Sequence, residues 1–328
     1  MENFKAIEFQ QERDFSKKMN ATFEFIRQNF KSLSKSLLFI AGPTILLGSF
    51  FISSFYGKVF NVSQMAGDPA GAENMLENFQ TVGFWLEIAG IAVFTFLAGV
   101  FTISVVNNYM LAYEEKKTNH IEVSEIWDRV RQTLPLYMVT MILYVLALLV
   151  TYVVALVPMF LFISISPVLA FFGVLIVIGV IVYIWINLAL LFFIRAYEKK
   201  GFFEAIARSF YLIRDKWWST FGLVFITSLI AGTIASLFFI PWYINMIVTM
   251  LHSVQNNTFE EPSTLTEIFN NVFLLLYFLA SFLLQALPLI ALAFQYFNLV
   301  ERKEAKGLMS RIHTVGQAPT PSNTDEQF

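Results

Sequence analysis

The chain has 328 residues, of which 57% are hydrophobic and only 14% are charged, with a formal net charge of −2. Soluble domains carry about a quarter charged residues, so this composition indicates a membrane protein. The chain has no cysteine, which excludes disulfides, thiolate nucleophiles, iron–sulfur clusters and cysteine zinc sites.

The first segment, residues 1–21, is rich in charged side chains and has no apolar run. It predicts a cytoplasmic N-terminal segment and not a cleavable signal peptide. From residue 22 the apolar positions repeat at the spacing of one helix face: Phe23, Ile26, Phe30, Leu33 and Leu37. Residues 37–56 are then free of charge and predict the first membrane-spanning helix, which Pro43 is expected to bend.

The middle of the chain predicts three further spans. Residues 57–81 are polar and turn-rich and predict an exposed loop, and residues 82–112 predict the second span. A second, looser amphipathic stripe follows: Val123, Ile126, Val130, Leu134 and Tyr137. Residues 132–194 form a run without charge, and this run is too long for one span of about 20 residues. A turn before Pro167 divides this run into two predicted spans: residues 134–162 and 168–194.

A third amphipathic segment precedes the last two spans. Its stripe again has the spacing of one helix face: Phe203, Ile206, Phe210, Ile213 and Trp217. The fifth and sixth spans are predicted at residues 217–247 and 268–300. Residues 307–328 are rich in Pro, Gly, Ser and Asn and predict a disordered cytoplasmic tail.

These elements predict an all-α, polytopic membrane protein with six transmembrane helices. The membrane domain, residues 22–306, is expected to consist of three tandem units, each introduced by an interfacial amphipathic helix: residues 22–117, 118–200 and 201–306. Of the 22 Lys and Arg residues, only Lys58 falls on the predicted outer side. Because basic residues favour the cytoplasmic side, both termini are expected to be cytoplasmic.

One stretch of the third unit resembles a known group of bacterial proteins. The residues that carry the resemblance are Gly201, Glu204-Ala205-Ile206, Arg208-Ser209-Phe210, Lys216-Trp217-Trp218 and Pro241. They resemble the six-span membrane region attached to some glycerophosphoryl diester phosphodiesterases, and related uncharacterised integral membrane proteins. The resemblance implies a multi-pass protein of the bacterial inner membrane. It does not imply the phosphodiesterase activity, because no segment here matches the soluble catalytic barrel of such fusions.

Basic residues on the amphipathic segments are the first candidate site. They are Lys31, Lys35, Arg129, Arg131, Arg208, Arg214 and Lys216. Near anionic head groups each basic residue contributes about 1 kcal/mol of attraction. Either these residues only set the membrane orientation, or they contact lipids or other membrane proteins.

Polar residues inside the spans are the second candidate site. Asn187 and Gln285 are expected at membrane depth, where they either line a substrate path or form hydrogen bonds between helices. Glu87, near an outer edge, either belongs to such a path or reaches the surface. The acidic cluster of Glu114, Glu115 and Glu122 with His120 is expected to be a solvated cap and not an acid–base pair. The three histidines, His120, His252 and His313, fall on both sides of the membrane, so no metal site is expected.

No catalytic residue, cofactor site or nucleic-acid surface is expected from the sequence. Phosphate-binding loops, nucleophile elbows and zinc-protease motifs do not occur in it. The sequence favours a non-enzymatic inner-membrane scaffold that organises membrane lipids or partner proteins. The alternative is a permease or lipid-handling transporter with a path near Asn187 and Gln285.

Overall fold

The computed structural model describes residues 5–65, 81–256 and 263–305, together with residues 307 and 309. In this part of the chain every regular element is helical. The helices are α1 (Phe15–Ser36), α2 (Gly42–Met65), α3 (Val82–Lys116), α4 (Val123–Ile163), α5 (Pro167–Asn187), α6 (Leu191–Tyr197), α7 (Phe202–Ile213), α8 (Trp217–Ser236), α9 (Ile240–Asn256), α10 (Thr264–Leu284) and α11 (Ala286–Glu304).

Six helical stretches among the described residues are long and apolar enough to cross a membrane. They are Phe15–Tyr56, Val82–Lys116, Val123–Ile163, Val168–Tyr197, Phe202–Ser236 and Thr264–Glu304. A crossing requires about 20 apolar residues, and each stretch exceeds this length. The prediction of an all-α, multi-pass membrane protein is confirmed at this level. Most of the predicted outer loop at 57–81 and nearly all of the tail at 307–328 lie outside the described residues.

The helices differ from the predicted spans at several boundaries. The predicted fourth span at 168–194 is divided between α5 and α6, and the predicted sixth span at 268–300 is divided between α10 and α11. Helix α2 continues to Met65, beyond the predicted end of the first span at residue 56. The predicted fifth span at 217–247 is interrupted, since α8 ends at Ser236 and α9 begins at Ile240. Pro241 explains the interruption, because its ring would clash with the carbonyl group four residues earlier and it has no amide hydrogen to donate. In the first turn of α9 that missing donor costs nothing.

The amphipathic segments pass into the spans without a loop. Helix α1 continues through a wide π-helical turn, Leu37–Ala41, into α2. In this turn the amide of Gly42 donates to the carbonyl of Leu37, and the wider spacing accommodates Pro43 just after it. Helix α4 runs from Val123 with no break. A short 3₁₀ turn, Arg214–Lys216, connects α7 to α8.

The face that helix α1 buries coincides only in part with its predicted apolar stripe. Leu33 and Leu37 of the stripe are buried, whereas Phe30 is 64% exposed. The buried face is largely polar: Lys18, Thr22, Phe25, Asn29, Leu33 and Ser36. In α7 the stripe residue Phe203 is likewise 81% exposed, whereas Ala205 and Ser209 are buried. In lipid an exposed phenylalanine carries no penalty, and polar groups are best placed against other helices.

An aromatic core joins the N-terminal segment to the helix ends beneath it. Phe9 is 1% exposed and lies at the centre of this core. Its ring centroid is 5.5 Å from that of Tyr113 on α3 and 5.1 Å from those of Phe294 and Phe297 on α11. It also lies 6.1 Å from the ring of Phe25 on α1. The segment before α1 is therefore part of the packed helix bundle.

Three chain segments end with the same backbone conformation. Lys117 after α3, Lys199 after α6 and Ala305 after α11 have positive φ angles of 51°, 55° and 49°. Left-handed residues of this kind are common helix terminators, because the turn satisfies the last helical carbonyl groups. The three positions follow the second, fourth and sixth spans.

Candidate functional site

A groove lies between α5 and the junction of α7 with α8. Its volume is about 650 Å³, and it is lined by Gly179, Tyr183, Arg214, Asp215, Lys216, Trp217, Trp218 and Ser219. The lining combines basic side chains, indole rings and a glycine, Gly179, on the apolar helix α5. We refer to it as the α5–α8 groove.

The aromatic wall of the α5–α8 groove is fixed by stacking and by a hydrogen bond. Trp217 stacks on Tyr183 with 5.9 Å between ring centroids and on Phe221 with 5.4 Å. The indole nitrogen of Trp217 donates to the backbone carbonyl of Tyr183 at 3.4 Å. Trp218 stands at 90° to Trp217 and is exposed. Trp217 therefore ties α8 to α5, and Trp218 faces the surroundings.

The charge of the groove is positive. No carboxylate of the described residues lies within ion-pair distance of Arg214 or Lys216. Asp215 is occupied elsewhere, since its carboxylate lies 3.1 Å from the ammonium of Lys303. That ammonium is also 4.3 Å from the centroid of the Tyr211 ring. The groove therefore presents two cations that form no ion pair within the described residues, and Asp215, which also lines it, is paired with Lys303.

A buried lysine lies directly behind the groove. Lys18 of α1 is 2% exposed, and its ammonium donates to the hydroxyl of Ser219 at 2.8 Å. It also donates to the amide oxygen of Gln295 at 2.7 Å. The amide nitrogen of Gln295 in turn donates to the hydroxyl of Thr220 at 2.8 Å, and that hydroxyl donates to the carbonyl of Lys216 at 3.0 Å. Three helices thus hold the back wall.

Lys18 and Gln295 were not predicted as site residues from the sequence. Lys18 belongs to the charged N-terminal segment, and Gln295 is an isolated amide in the sixth span. The available signal was the spacing of Lys18 with Thr22, Phe25 and Asn29, which places all four on one face of a helix. This face is more polar than the stripe beside it, so hydrophobic periodicity does not identify it as the packed face.

The other predicted basic residues lie apart from the groove. Lys31 and Lys35 are exposed on α1. Arg129 pairs with Glu115 at 2.6 Å, and the exposed Arg131 pairs with Asp128 at 3.4 Å. Of the seven predicted basic residues, the structure brings Arg214 and Lys216 together at the α5–α8 groove.

Arg208 belongs to a half-buried ion-pair cluster. Its guanidinium lies 3.0 Å from the carboxylate of Glu198 and also pairs with Glu304. Tyr296 donates to Glu198 at 2.7 Å, and Lys200 lies 3.0 Å from it. Burial acts to raise the pKa of the Glu198 carboxyl, but the hydrogen bonds from Tyr296, Lys200 and Arg208 outweigh it and lower this pKa. The cluster joins α7 to the ends of α6 and α11.

A second cavity, of about 610 Å³, lies beside the N-terminal segment. Its lining mixes charges of both signs, including Glu8, Glu114, Glu115 and Lys199. The described residues contain no group of three or more His, Asp or Glu that could hold a metal ion. His120 and Glu122 of the predicted acidic cluster do not line this cavity.

The predicted intramembrane polar residues occupy different environments. Asn187 is buried at the end of α5, and its side-chain nitrogen donates to the carbonyl of Tyr183 at 2.8 Å. Gln285 is exposed at the junction of α10 and α11. Glu87 is buried near the start of α3. Within the described residues Asn187 and Gln285 form no hydrogen bond with each other.

Comparison with known proteins adds no assignment. No family model, no curated protein and no solved structure matches the chain. The resemblance of residues 201–241 to the membrane region of phosphodiesterase fusions therefore stays a prediction.

Proposed function

We propose that the protein is a non-enzymatic scaffold of the bacterial cytoplasmic membrane, which organises lipids or partner proteins at the inner face. The observation that carries the proposal is the α5–α8 groove. There Arg214 and Lys216, without acidic partners in the described chain, stand beside the exposed Trp218 at the end of apolar helices. Tryptophan and basic residues together are typical of the interface between hydrocarbon and head groups.

A rigid frame behind the groove supports a scaffold role. The hydrogen bonds of Lys18 with Ser219 and Gln295 connect α1, α8 and α11. The aromatic core around Phe9 fixes the N-terminal segment to the same helices. A surface held in this way can present its charges in one arrangement, which lowers the entropic cost of binding.

The proposal includes three tandem units, each introduced by an interfacial helix. The left-handed residues after the second, fourth and sixth spans support it, because each unit then ends in the same way. The exposed Phe30 and Phe203 support an interfacial position for α1 and α7, since an interfacial helix buries its apolar face in the lipid.

Cysteine labelling tests this arrangement, since the chain has no native cysteine. Single variants Glu122→Cys and Glu204→Cys are proposed to face the cytoplasm, and Val82→Cys and Leu265→Cys the outer side. All four positions are exposed. A membrane-impermeant maleimide applied to intact cells is expected to label positions 82 and 265, and to reach 122 and 204 only after lysis. The reverse pattern would overturn the orientation.

Purification of the full chain in mild detergent tests the scaffold function. Mass spectrometry of the eluate is expected to find lipid or a partner protein in constant ratio to the chain. The matched control is an unrelated membrane protein of similar size purified from the same membranes. A monomer that retains neither lipid nor partner above the control would contradict the proposal.

A permease remains the second candidate, and the helix breaks favour it. The spans are interrupted between α8 and α9 and between α10 and α11, and broken helices line the paths of many transporters. Gln285 lies at the second break. If uptake of a solute by reconstituted vesicles were demonstrated and then lost in both Gln285→Leu and Asn187→Leu, this candidate would replace the scaffold.

A further inference from the structure

We infer that the α5–α8 groove binds one anionic phospholipid, with the phosphate at Arg214 and Lys216 and an acyl chain along α5 past Gly179. This inference rests on the proposed function and deepens it, because it names the lipid class and the site. It excludes a zwitterionic lipid and a soluble phosphate compound as the occupant.

The charge of the groove selects an anionic head group. A phosphate offers several acceptor oxygens, and a guanidinium beside an ammonium is suited to bind them. Asp215 does not oppose this binding, since its carboxylate faces Lys303 at 3.1 Å. The buried ammonium of Lys18 adds positive potential from behind, through its contact with Ser219 of the groove wall.

The tryptophans do not by themselves favour a choline head group. Perpendicular indole rings are able to hold a quaternary ammonium by cation–π contact. Here Trp217 already stacks on Tyr183 and on Phe221, which leaves Trp218 as the exposed indole. The positive charges of the groove would also repel a choline group. The geometry therefore favours a head group with net negative charge.

The groove extends from this charged end along the apolar side of α5. Gly179 lies about one helical turn before Tyr183, so the two residues are about 6 Å apart along the axis of α5. A β-carbon added at Gly179 would meet no atom within 4 Å. The neighbouring Ile176 and Val180 are exposed apolar residues. This open strip of helix continues from the basic residues to hydrocarbon depth, which suits a molecule with a phosphate at one end and an acyl chain at the other.

Quenching by brominated lipids tests the binding. The full chain, with its other four tryptophans changed to phenylalanine, is reconstituted in phosphatidylcholine vesicles, so that Trp217 and Trp218 report. Brominated phosphatidylglycerol is expected to quench them more strongly than brominated phosphatidylcholine at the same mole fraction. The double variant Arg214→Gln/Lys216→Gln is expected to lower this preference about tenfold or more, since each basic residue supplies about 1 kcal/mol. Equal quenching by the two lipids in the parent protein would overturn the inference.

A bulky side chain on the strip of α5 around Gly179 distinguishes lipid binding in the groove from general attraction of lipid to surface charge. Gly179→Leu is expected to weaken phosphatidylglycerol binding, because the new side chain occupies the strip without changing a charge. Gly232→Leu is the matched control, since Gly232 lies in the apolar part of α8 and a β-carbon added there also meets no atom within 4 Å. Equal binding by the two variants would overturn the groove as the site.

Two further measurements complete the test. Native mass spectrometry of the chain with all its tryptophans is expected to show phosphatidylglycerol retained by the parent and by Gly232→Leu, and reduced in Gly179→Leu. Added glycerol phosphate is expected to leave the quenching unchanged, and displacement of the lipid by it would overturn a lipid site. If these results fail while a partner protein still co-purifies, the groove inference is lost and the scaffold proposal stands.

Discussion

The ammonium of Lys18 lies 2.7 Å from the amide oxygen of Gln295, although these residues are far apart in the chain. The pair connects α1 to α11, and both side chains are buried. No carboxylate of the described residues lies within ion-pair distance of Lys18. Neutral oxygen atoms therefore replace the water around a buried ammonium group. The loss of one of these acceptors costs more free energy than it would at an exposed site.

Replacement of Gln295 by leucine should destabilise the protein. Gln295→Leu removes one acceptor of the Lys18 ammonium and also the donor to Thr220. Hydrogen bonds to charged groups contribute about 1.5–3 kcal/mol, so the free energy of unfolding in detergent is expected to fall by about 2 kcal/mol. Gln285→Leu is the control, because Gln285 is exposed, and it should change stability by less than about 0.5 kcal/mol. Equal effects of the two variants would argue against the buried pair.

Arg208 should contribute far more to stability than Arg131. The guanidinium of Arg208 is 12% exposed and pairs with Glu198 and Glu304. Arg208→Gln removes the guanidinium that pairs with both Glu198 and Glu304, and breaking a buried ion pair costs about 3 kcal/mol. Arg131→Gln breaks an exposed pair with Asp128 and should cost at most about 1 kcal/mol. Thermal unfolding of both variants at neutral pH measures the difference.

The six spans could be predicted from the sequence because an apolar, largely uncharged run of about 20 residues or more is typical of a membrane-crossing helix. It did not recover which face of α1 packs inward. Phe23 and Phe30 form the stronger apolar pattern, but lipid accepts them, and the inner face instead carries Lys18 and Asn29. Periodicity identifies a helix with two different faces, and only tertiary packing decides which of them meets another helix.

The candidate site was recovered in part for a similar reason. Arg214 and Lys216 were found because basic residues are conspicuous beside tryptophans in an apolar chain. The groove itself depends on Gly179 and Tyr183 of another helix, and no local pattern connects them to Lys216. A contact of this kind is set by how α5 packs against α8, which spacing along one helix does not encode.

The stability of the protein should fall in acid in a manner that depends on Glu198. Its pKa in the folded protein lies below the ordinary value of 4.5, because the donors from Tyr296, Lys200 and Arg208 outweigh the effect of burial. A lowered pKa stabilises the fold above pH 4.5, and this contribution is lost as the pH falls through the lower, folded-state value. Melting temperatures of the parent and of Glu198→Gln, measured between neutral pH and about pH 3, test this pH dependence. The lower limit is about one unit below an ordinary carboxyl pKa. The difference between the two proteins should shrink in acid, and a constant difference would contradict the assignment.

The N-terminal segment should be required for the stability of the helix bundle. Phe9 is 1% exposed among the rings of Tyr113, Phe294 and Phe297. Phe9→Ala leaves a cavity in this core, and such truncations cost about 3–5 kcal/mol. Phe203→Ala is the control, because Phe203 is 81% exposed and its removal leaves no cavity inside the bundle. Denaturation in mixed detergent, followed by near-ultraviolet circular dichroism, should show the larger loss for Phe9→Ala. If the two variants unfold alike, the segment before α1 is not a structural part of the bundle.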